Sequence, residues 1–309
     1  MEQRIFIHDV VARDGLQIEP RWVPTERKIE LIDRLSATGV AKIEATSFVS
    51  PKAVPNLSDA EAVMAGIARN PAAAYVALVP NARGAERALA AGVDEMALVV
   101  SVSETHNRAN VRRTVAQSFA GFSEVFDVAR GSGKPITGAL STSFGCPFEG
   151  AIAERQVEDC VARYVDLGVS GVTLADTTGM ANPRQVESLV KRVRARWPRL
   201  DLALHFHNTR GMGLANVLAG LSAGVVHYEA TLGGLGGCPF APGATGNICT
   251  EDLVHMLDCM GYRTGVDLDL LLAASRRLSE IVGHELPGQV VKAGKATDLH
   301  PAPPELARQ

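Results

Sequence analysis

The chain has 309 residues, 46% of them hydrophobic and 21% charged, a composition typical of folded globular proteins and not of disordered ones. Its formal net charge of −3 at pH 7 offers no overall basic surface for nucleic acid or an anionic membrane. No apolar stretch reaches the ~20 residues that a membrane-spanning helix needs. We therefore expect a protein that binds neither nucleic acid nor membrane.

The chain's five cysteines are an odd number, scattered along the sequence, which favours free thiols in a reducing compartment. Its first residues lack the charged and then apolar pattern of a signal peptide. Together these features predict a cytoplasmic protein.

Eight short apolar segments rich in β-branched residues predict strands, and segments with apolar residues at i, i+3, i+4 and i+7 predict helices between them. The predicted strands cover residues 5–8, 42–45, 74–79, 96–101, 136–140, 171–175, 202–207 and 228–231. The predicted helices cover residues 26–37, 58–68, 84–90, 115–130, 154–167, 183–196 and 214–222, with two more at 253–260 and 268–282.

Eight strand–helix units in about 250 residues are typical of a (β/α)8 TIM barrel, an α/β fold. An open doubly wound sheet is the alternative, but no G-x-G-x-x-G turn follows the first strand. We expect residues 1–285 to form the barrel with extra C-terminal helices, and residues 286–309 to form a tail. The helices after residue 253 can either cap the barrel or form the surface of a homo-oligomer.

His205 and His207 lie two residues apart in an apolar segment. Because a strand repeats every two residues, both imidazoles point to one face. They are either two ligands of one divalent metal ion or two histidines that happen to lie close together. The Gly-rich turn that follows them favours the metal interpretation.

Polar residues follow most of the predicted strands, where a barrel of this type carries its chemistry. They include Arg13, Asp14 and Gln17 after strand one, Glu44 and Ser47 at strand two, Ser101 to Asn107 after strand four, Ser141 to Ser143 after strand five, and Asp176 after strand six. One such residue can be a helix cap. Convergence of so many on one mouth favours an active site.

Ring closure places strand eight between strands seven and one. Asp14, His205, His207 and an oxygen donor after strand eight can then surround one point, and Asn247 is the natural donor. Two imidazoles, a carboxylate and an amide oxygen leave about two positions open in an octahedral shell. Without a thiolate, the set favours Mg²⁺ or Mn²⁺, although imidazoles also accept Fe²⁺, Co²⁺ or Zn²⁺.

Several motifs together resemble the HMG-CoA lyases, part of a larger group of metal-dependent TIM-barrel lyases and synthases. The matching runs are RDGLQ at 13–17, IEATSFVSP at 43–51, FGCPFEG at 144–150, DTTG at 176–179, HFHNT at 205–209 and GGLGGCPFAPGATGN at 233–247. They extend over nearly the whole chain, and the first and last are the most specific.

The resemblance implies a lyase that splits 3-hydroxy-3-methylglutaryl-CoA, an acyl-CoA thioester, into acetyl-CoA and acetoacetate, as in leucine degradation. It implies that Asp14, His205, His207 and Asn247 bind the metal and that Arg13 and Cys238 are catalytic. Glu44, Asp176 and Glu251 match acidic residues that support the family's site; Glu44 and Asp176 are predicted to take part in catalysis. Arg13, Gln17 and Ser47 are predicted to contact the substrate. The C-terminal tail lacks the cysteine of the animal enzymes, and residues 103–110 are more polar than expected in them.

The residues fit that chemistry on physical grounds. Arg13, beside a metal ligand, suits stabilisation of the enolate that forms as the bond breaks. Cys238 follows Gly233, Gly234, Gly236 and Gly237, which give its loop freedom to close, and so suits delivery of a proton to that enolate. Cys146 lacks such surrounding glycines and is expected to be structural. The base that takes the hydroxyl proton stays open among Asp176, a histidine and a metal-bound water.

Three other functions compete with this interpretation. An acyl-CoA/2-oxo acid synthase of the same group is disfavoured, because its Gly-Glu-Arg turn is replaced here by GGCPF and few residues follow Val282. A lyase for a related 3-hydroxy-3-substituted glutaryl-CoA shares the metal motifs and stays open. A non-catalytic metal-binding protein is disfavoured by the presence of Arg13 and Cys238.

Overall fold

The computed structural model describes residues 3–237 and 246–301. Eight parallel strands form a closed barrel in sequence order. Their bounds are β1 Phe6–Asp9, β2 Lys42–Ser47, β3 Ala74–Leu78, β4 Glu95–Ser101, β5 Ile136–Ser141, β6 Gly171–Asp176, β7 Asp201–Phe206 and β8 His227–Ala230. Phe6 of β1 pairs with His227 of β8, which closes the ring. The predicted (β/α)8 barrel is confirmed.

Helices follow the strands and surround the barrel. Their bounds are α1 Thr25–Ala37, α2 Ala60–Gly66, α3 Ala82–Ala90, α4 Glu104–Val111, α5 Val115–Ala129, α6 Glu154–Leu167, α7 Pro183–Arg196, α8 Gly213–Ser222, α9 Thr250–Cys259, α10 Leu268–Val282 and α11 Val290–Ala293. The bounds predicted for α6, α7 and α10 match those observed.

Local sequence explains why α7 has the predicted bounds. The side chain of Asn182 accepts a hydrogen bond from Gln185 N at 3.1 Å, and Pro183 occupies the first turn, where no backbone donor is needed. The side chain of Gln185 in turn accepts from Asn182 N. These signals lie within four residues, so they can be detected without any tertiary information.

Helix α4 was not among the predicted elements. It begins after Ser103, whose hydroxyl accepts a hydrogen bond from His106 N at 3.1 Å. Asn107, within the helix, is buried and donates to Ser118 Oγ at 2.9 Å. The run has no apolar periodicity, and buried polar contacts hold the helix instead, which explains why the hydrophobic pattern missed it.

The predicted C-terminal helices are confirmed as α9 and α10, and α9 begins at Thr250, three residues earlier than predicted. Beyond them Leu286 and Val290 are buried, and Val290 N donates to Asp252 Oδ1 at 2.8 Å. The division after residue 285 stays a prediction. Within the described ranges, none of the helices has the length and apolar character needed to cross a membrane.

Two glycines provide a matched test of the packing. A Cβ at Gly138 on β5 would lie 2.7 Å from ring atoms of Tyr164, which is buried between barrel and helices. We expect Gly138→Ala to lower the free energy of unfolding by about 1–3 kcal/mol, as overpacking does. Gly121 lies within α5, and its Cβ would meet only the flexible end of Arg113.

Gly121→Ala is therefore the control, and it should raise the free energy of unfolding by up to ~1 kcal/mol through helix propensity. Urea unfolding of both variants measures the difference. Equal effects of the two substitutions would contradict the tight packing at Gly138.

Candidate metal centre and active site

Three of the predicted metal ligands form one cluster at the carboxyl end of the barrel. Ligand atoms of Asp14, His205 and His207 all lie within 4.8 Å of one another. His205 is on β7, His207 directly follows it, and Asp14 comes from the turn after β1. The predicted convergence of these three residues is confirmed as geometry.

A helical turn, Val11–Gly15, positions Asp14. Asp14 N donates to Val10 O at 2.7 Å, and Val11 N donates to Asp9 Oδ1 at 2.9 Å. The other oxygen of Asp9 accepts from Thr250 Oγ1 at 2.6 Å. Sequence analysis missed Asp9, which is fully buried, and burial raises its pKa to about 6.

Glu229 holds His205 in place. Its Oε2 lies 3.1 Å from His205 Nδ1, and its Oε1 accepts from Thr173 Oγ1 at 2.8 Å. Burial acts to lower the pKa of His205, but the hydrogen bond and charge of Glu229 outweigh it and raise that pKa. A carboxylate on one imidazole nitrogen leaves the other for a metal, an arrangement that recurs in metalloproteins.

Glu229 was missed by sequence analysis, although its position gave a signal. It lies on β8, two residues from His227, and both face the barrel interior. An acidic residue that points into the barrel from the strand beside β7 is a candidate partner for His205 or His207.

His207 is 4% exposed, and burial lowers its pKa to about 3, so the ring is neutral. Its Nδ1 is buried and has no hydrogen-bond partner among the described residues. A neutral imidazole with an unused nitrogen is the form that binds a metal.

Asn247 completes the predicted set. Its backbone forms a bridge with His207, and its Nδ2 donates to Asp14 Oδ2 at 2.9 Å and to Leu235 O at 3.2 Å. Its Oδ1 is buried and lacks a hydrogen-bond partner within the described part of the chain. The amide nitrogen is thus committed to the protein, while the oxygen is free to act as a ligand.

The donor set fits a divalent cation. A carboxylate and two imidazoles lie together, and the Asn247 amide contacts that carboxylate. His207 and Asn247 each have a buried atom without a partner among the described residues. Buried polar atoms without partners are costly, and a bound ion would satisfy them.

Arg13 lies directly beside this cluster. Its Nη1 donates to Asp14 Oδ1 at 2.6 Å and its Nε donates to Glu44 Oε2 at 2.7 Å. Burial acts to lower the pKa of Arg13, but the charges of Glu44 and Asp14 raise it above its ordinary value, which keeps the guanidinium charged. The two carboxylates also fix its plane.

The carboxylates around Arg13 respond differently to burial. For Asp14, burial acts to raise the pKa, but the charges of Arg13, His205 and His207 lower it to about 2. For Glu44, burial dominates and raises the pKa to about 7 despite Arg13. The Asp14 carboxylate is thus firmly charged, while at Glu44 burial opposes the charge that the Arg13 ion pair stabilises.

The other predicted site residues lie at different depths. Asp176 ends β6, where its Oδ1 accepts from Met180 N at 2.7 Å while its buried Oδ2 has no partner among the described residues. Burial raises the pKa of Asp176 to about 6. Ser47 is buried at the end of β2 and its hydroxyl is similarly unpartnered. Gln17 is half-buried just beyond the Val11–Gly15 turn, and its role stays a prediction.

Glu251 lies farther back, in the first turn of α9. It accepts from Gly233 N at 2.9 Å and from Ser275 Oγ at 2.6 Å, so it anchors the start of the glycine-rich segment rather than the metal ligands. Burial raises its pKa to about 7. Cys238 lies outside the described residues.

Cys146, expected to be structural, is fully buried. Its thiol donates to Ser103 Oγ at 3.0 Å and accepts from Phe148 N at 3.4 Å. The thiol thus connects the loop after β5 to the start of α4.

Comparison with known proteins places this geometry in a family. The HMGL-like family model matches residues 4–278. Hydroxymethylglutaryl-CoA lyase YngG of Bacillus subtilis is 43% identical, and the alignment covers 96% of this chain and 99% of YngG. The (R)-citramalyl-CoA lyase of Chloroflexus aurantiacus is also 43% identical, with 94% and 95% covered.

The fold agrees with a solved structure as well. An HMG-CoA lyase from Acenitobacter baumannii in complex with coenzyme A and 3-methylmalate matches with a TM-score of 0.93 and 55% sequence identity, covering 97% of this chain and 98% of that one. The chain therefore belongs to the HMGL-like family.

The first prediction from this site concerns metal binding. His207→Ala removes one imidazole ligand, so the affinity for Mn²⁺ measured by isothermal titration calorimetry should fall by at least the ~10–100-fold typical of a disturbed ligand environment. His300→Ala, on an exposed residue, is the control and should leave the affinity unchanged. Unchanged Mn²⁺ affinity in His207→Ala would place the ion elsewhere.

Proposed function

We propose that this protein is a metal-dependent lyase that cleaves 3-hydroxy-3-methylglutaryl-CoA into acetyl-CoA and acetoacetate. The observation that carries the proposal is the position of Arg13, fixed by Asp14 and Glu44 beside the Asp14–His205–His207 cluster. Relatives that match almost the full chain are hydroxymethylglutaryl-CoA lyases, which supports the same reaction here.

Asp14, His205, His207 and Asn247 would hold the metal, and the oxygen and neutral imidazole donors favour Mg²⁺ or Mn²⁺. Such an ion, bound there, would lower the pKa of a coordinated substrate hydroxyl. Glu229 orients His205 and keeps one ring nitrogen available. Because none of these donors is a thiolate, a structural zinc site is disfavoured.

Asp176 is our candidate for the base that takes the hydroxyl proton. Its unpartnered oxygen is buried next to the strand that carries His205. A base is most effective when its pKa lies near the working pH, and burial moves the pKa of Asp176 in that direction. Ser47 and Gln17, on neighbouring segments of the mouth, are proposed to contact the substrate.

As the C–C bond breaks, negative charge moves to the thioester carbonyl. Arg13 is already charged and held by two carboxylates, so it can stabilise that charge without reorganising. Glu44 positions the guanidinium from the opposite side. The enolate then gains a proton from Cys238, on the segment whose start is anchored by Glu251.

The substrate is proposed to be an acyl-CoA thioester, since a matching lyase structure holds coenzyme A. A related thioester, (R)-citramalyl-CoA, is the second candidate, because a lyase named for it is as similar to this chain as YngG is. Both thioesters carry a tertiary hydroxyl, a C3 methyl group and a free carboxylate. We place the activity in leucine degradation and in the cytoplasm, with residues 1–285 as the catalytic unit.

Steady-state cleavage of both thioesters, with and without Mg²⁺, tests the proposed function. We expect 3-hydroxy-3-methylglutaryl-CoA to give the higher kcat/KM, and chelation of divalent ions to abolish turnover. A higher kcat/KM for (R)-citramalyl-CoA would favour the second candidate. Cleavage of neither thioester in a Mg²⁺-loaded preparation would contradict the function.

The next prediction concerns Arg13. Arg13→Lys keeps the charge but cannot contact Asp14 and Glu44 through a planar fork, so kcat should fall strongly while KM changes less. Arg277→Lys is the control, because Arg277 forms a similar double contact with Glu30 far from the site. Loss of substrate affinity with unchanged kcat would make Arg13 a binding anchor instead.

The last prediction in this group concerns Cys238. If its thiol protonates the enolate, Cys238→Ala should lower kcat by roughly 10²–10⁴-fold, the contribution of an acid–base group. Mn²⁺ affinity should be unchanged, since no thiol belongs to the ligand set. Cys146→Ala is the matched control and should cost stability rather than turnover. Wild-type turnover in Cys238→Ala would assign the proton to another group.

A further inference from the structure

The interior of this barrel is not filled in the usual way. TIM barrels normally pack bulky branched side chains in layers along the axis. Here most inward positions of β4 to β7 carry small residues, which are Ala97, Thr137, Gly171, Thr173 and Ala203, while Glu95 and Val99 of β4 and Asp201 of β7 also line the interior. The inward positions of β1, β2 and β8 carry polar or charged groups, which are His8, Lys42, His227 and Glu229.

The result is a cavity of about 100 Å³ along the barrel axis, which we call the lumen. On β4, the inward residues Ala97 and Val99 are partly exposed, whereas the outward Met96 and Leu98 are 0% exposed. Roughly 10–15 Å³ of cavity volume is enough for one water molecule, so the lumen has room for several water molecules.

The lumen extends from the active site to the opposite end of the barrel. At one end it is lined by Arg13 and Glu44. At the other it is lined by Asp201, an exposed residue at the start of β7, and by Lys42, whose side chain is 28% exposed. Its lining therefore runs from the floor of the candidate site to residues that are exposed at the amino-terminal mouth.

Two imidazoles lie between those ends. His8 Nε2 and His227 Nδ1 are 3.2 Å apart, and His8 pairs in register with Glu229, the partner of His205. Burial is the main cause that lowers the pKa of both rings, and the charge of Lys42 lowers both pKa values further. The charge of Glu229 acts to raise the pKa of His8, and the charges of Asp201 and Glu95 act to raise that of His227. A neutral imidazole has one N–H and one acceptor nitrogen, which is what stepwise proton transfer requires.

We propose that the lumen, with His8 and His227, is the route by which the proton taken from the substrate hydroxyl reaches bulk solvent while an acyl-CoA occupies the carboxyl-terminal mouth. The inference rests on the proposed function. In each turnover the hydroxyl O–H bond breaks and the base takes that proton. The enolate carbon gains a different proton from the thiol.

The base must then lose its proton and the thiolate must gain one, so that no net proton is produced. The two histidines do not contact the substrate. They relay the proton away from the base. The lumen provides the path by which the first of these exchanges takes place without release of the thioester. It reaches the site at Arg13, Glu44 and Glu229, and Asp176 itself does not line it.

His8→Ala tests the route and leaves space for a small imidazole. We expect kcat to fall about tenfold with KM unchanged, a smaller loss than the 10²–10⁴-fold expected for a group at the reacting atoms. Added imidazole should restore kcat in His8→Ala, whereas a bulky buffer of similar pKa should not. His300→Ala and the wild-type protein with imidazole are the controls.

Ala97→Leu narrows the lumen without altering a titratable group, and we expect a similar loss of kcat that imidazole does not restore. Wild-type kcat in both variants, or a loss in His8→Ala that imidazole leaves unchanged, would overturn the proposal. Thermal unfolding of each variant separates a structural loss from a kinetic one.

A second measurement does not depend on turnover. In Thr137→Cys the new thiol should react with iodoacetamide at the same rate with and without coenzyme A, measured by peptide mass spectrometry. Protection of that thiol in both conditions would mean that the lumen is closed to solvent, and would overturn the route even if the variants at His8 and Ala97 do not fold. Failure of the wild-type protein to cleave either thioester would contradict the proposed function, while the labelling still decides whether the path exists.

Discussion

The pairing of β1 with β8 is the constraint on which the rest of the site depends. It brings the turn that carries Asp14 next to the strand end that carries His205 and His207, although nearly 200 residues separate them in sequence. Asp9, at the end of β1, secures the joint by accepting hydrogen bonds from Val11 N and from Thr250 at the start of α9. An open sheet with the same strands would leave the carboxylate and the imidazoles on opposite edges.

Charge compensation then decides what each side chain at this joint can do. Arg13 keeps Asp14 ionised and is itself fixed by Glu44, so a cation and two carboxylates hold one another in place at the floor of the mouth. Glu229 similarly fixes one nitrogen of His205. Buried charges persist only with such partners, and the same contacts that stabilise them also set the geometry on which the proposed metal binding and enolate stabilisation depend.

The polar lumen beneath the site follows from the same distribution of residues. Small side chains at Ala97, Thr137, Gly171, Thr173 and Ala203 face charged or polar ones on β1, β2 and β8 and at Glu95 of β4, so the barrel axis carries hydrogen-bonding groups where a packed apolar layer is usual. Lys42 pairs with Glu95, which also accepts from Thr137 Oγ1, so this interior is held by polar contacts across neighbouring strands. The polar contacts that hold this interior and the proposed path to solvent therefore share one set of residues.

The sequence by itself determined the barrel, most helix bounds and the convergence of Asp14, His205 and His207, because these depend on period, caps and local motifs. The two-residue spacing of His205 and His207 required only strand geometry, and Asn182 with Pro183 marked the start of α7 within four residues. Tertiary structure alone decided the roles of Asp9, Glu229 and the His8–His227 pair, since their partners come from distant strands. It also decided helix α4, whose polar sequence carries no apolar period and is held by buried contacts of Asn107. Local patterns depend only on residues close together in sequence. The pKa shifts, buried hydrogen bonds and cavities arise only when the barrel closes and distant strands come together.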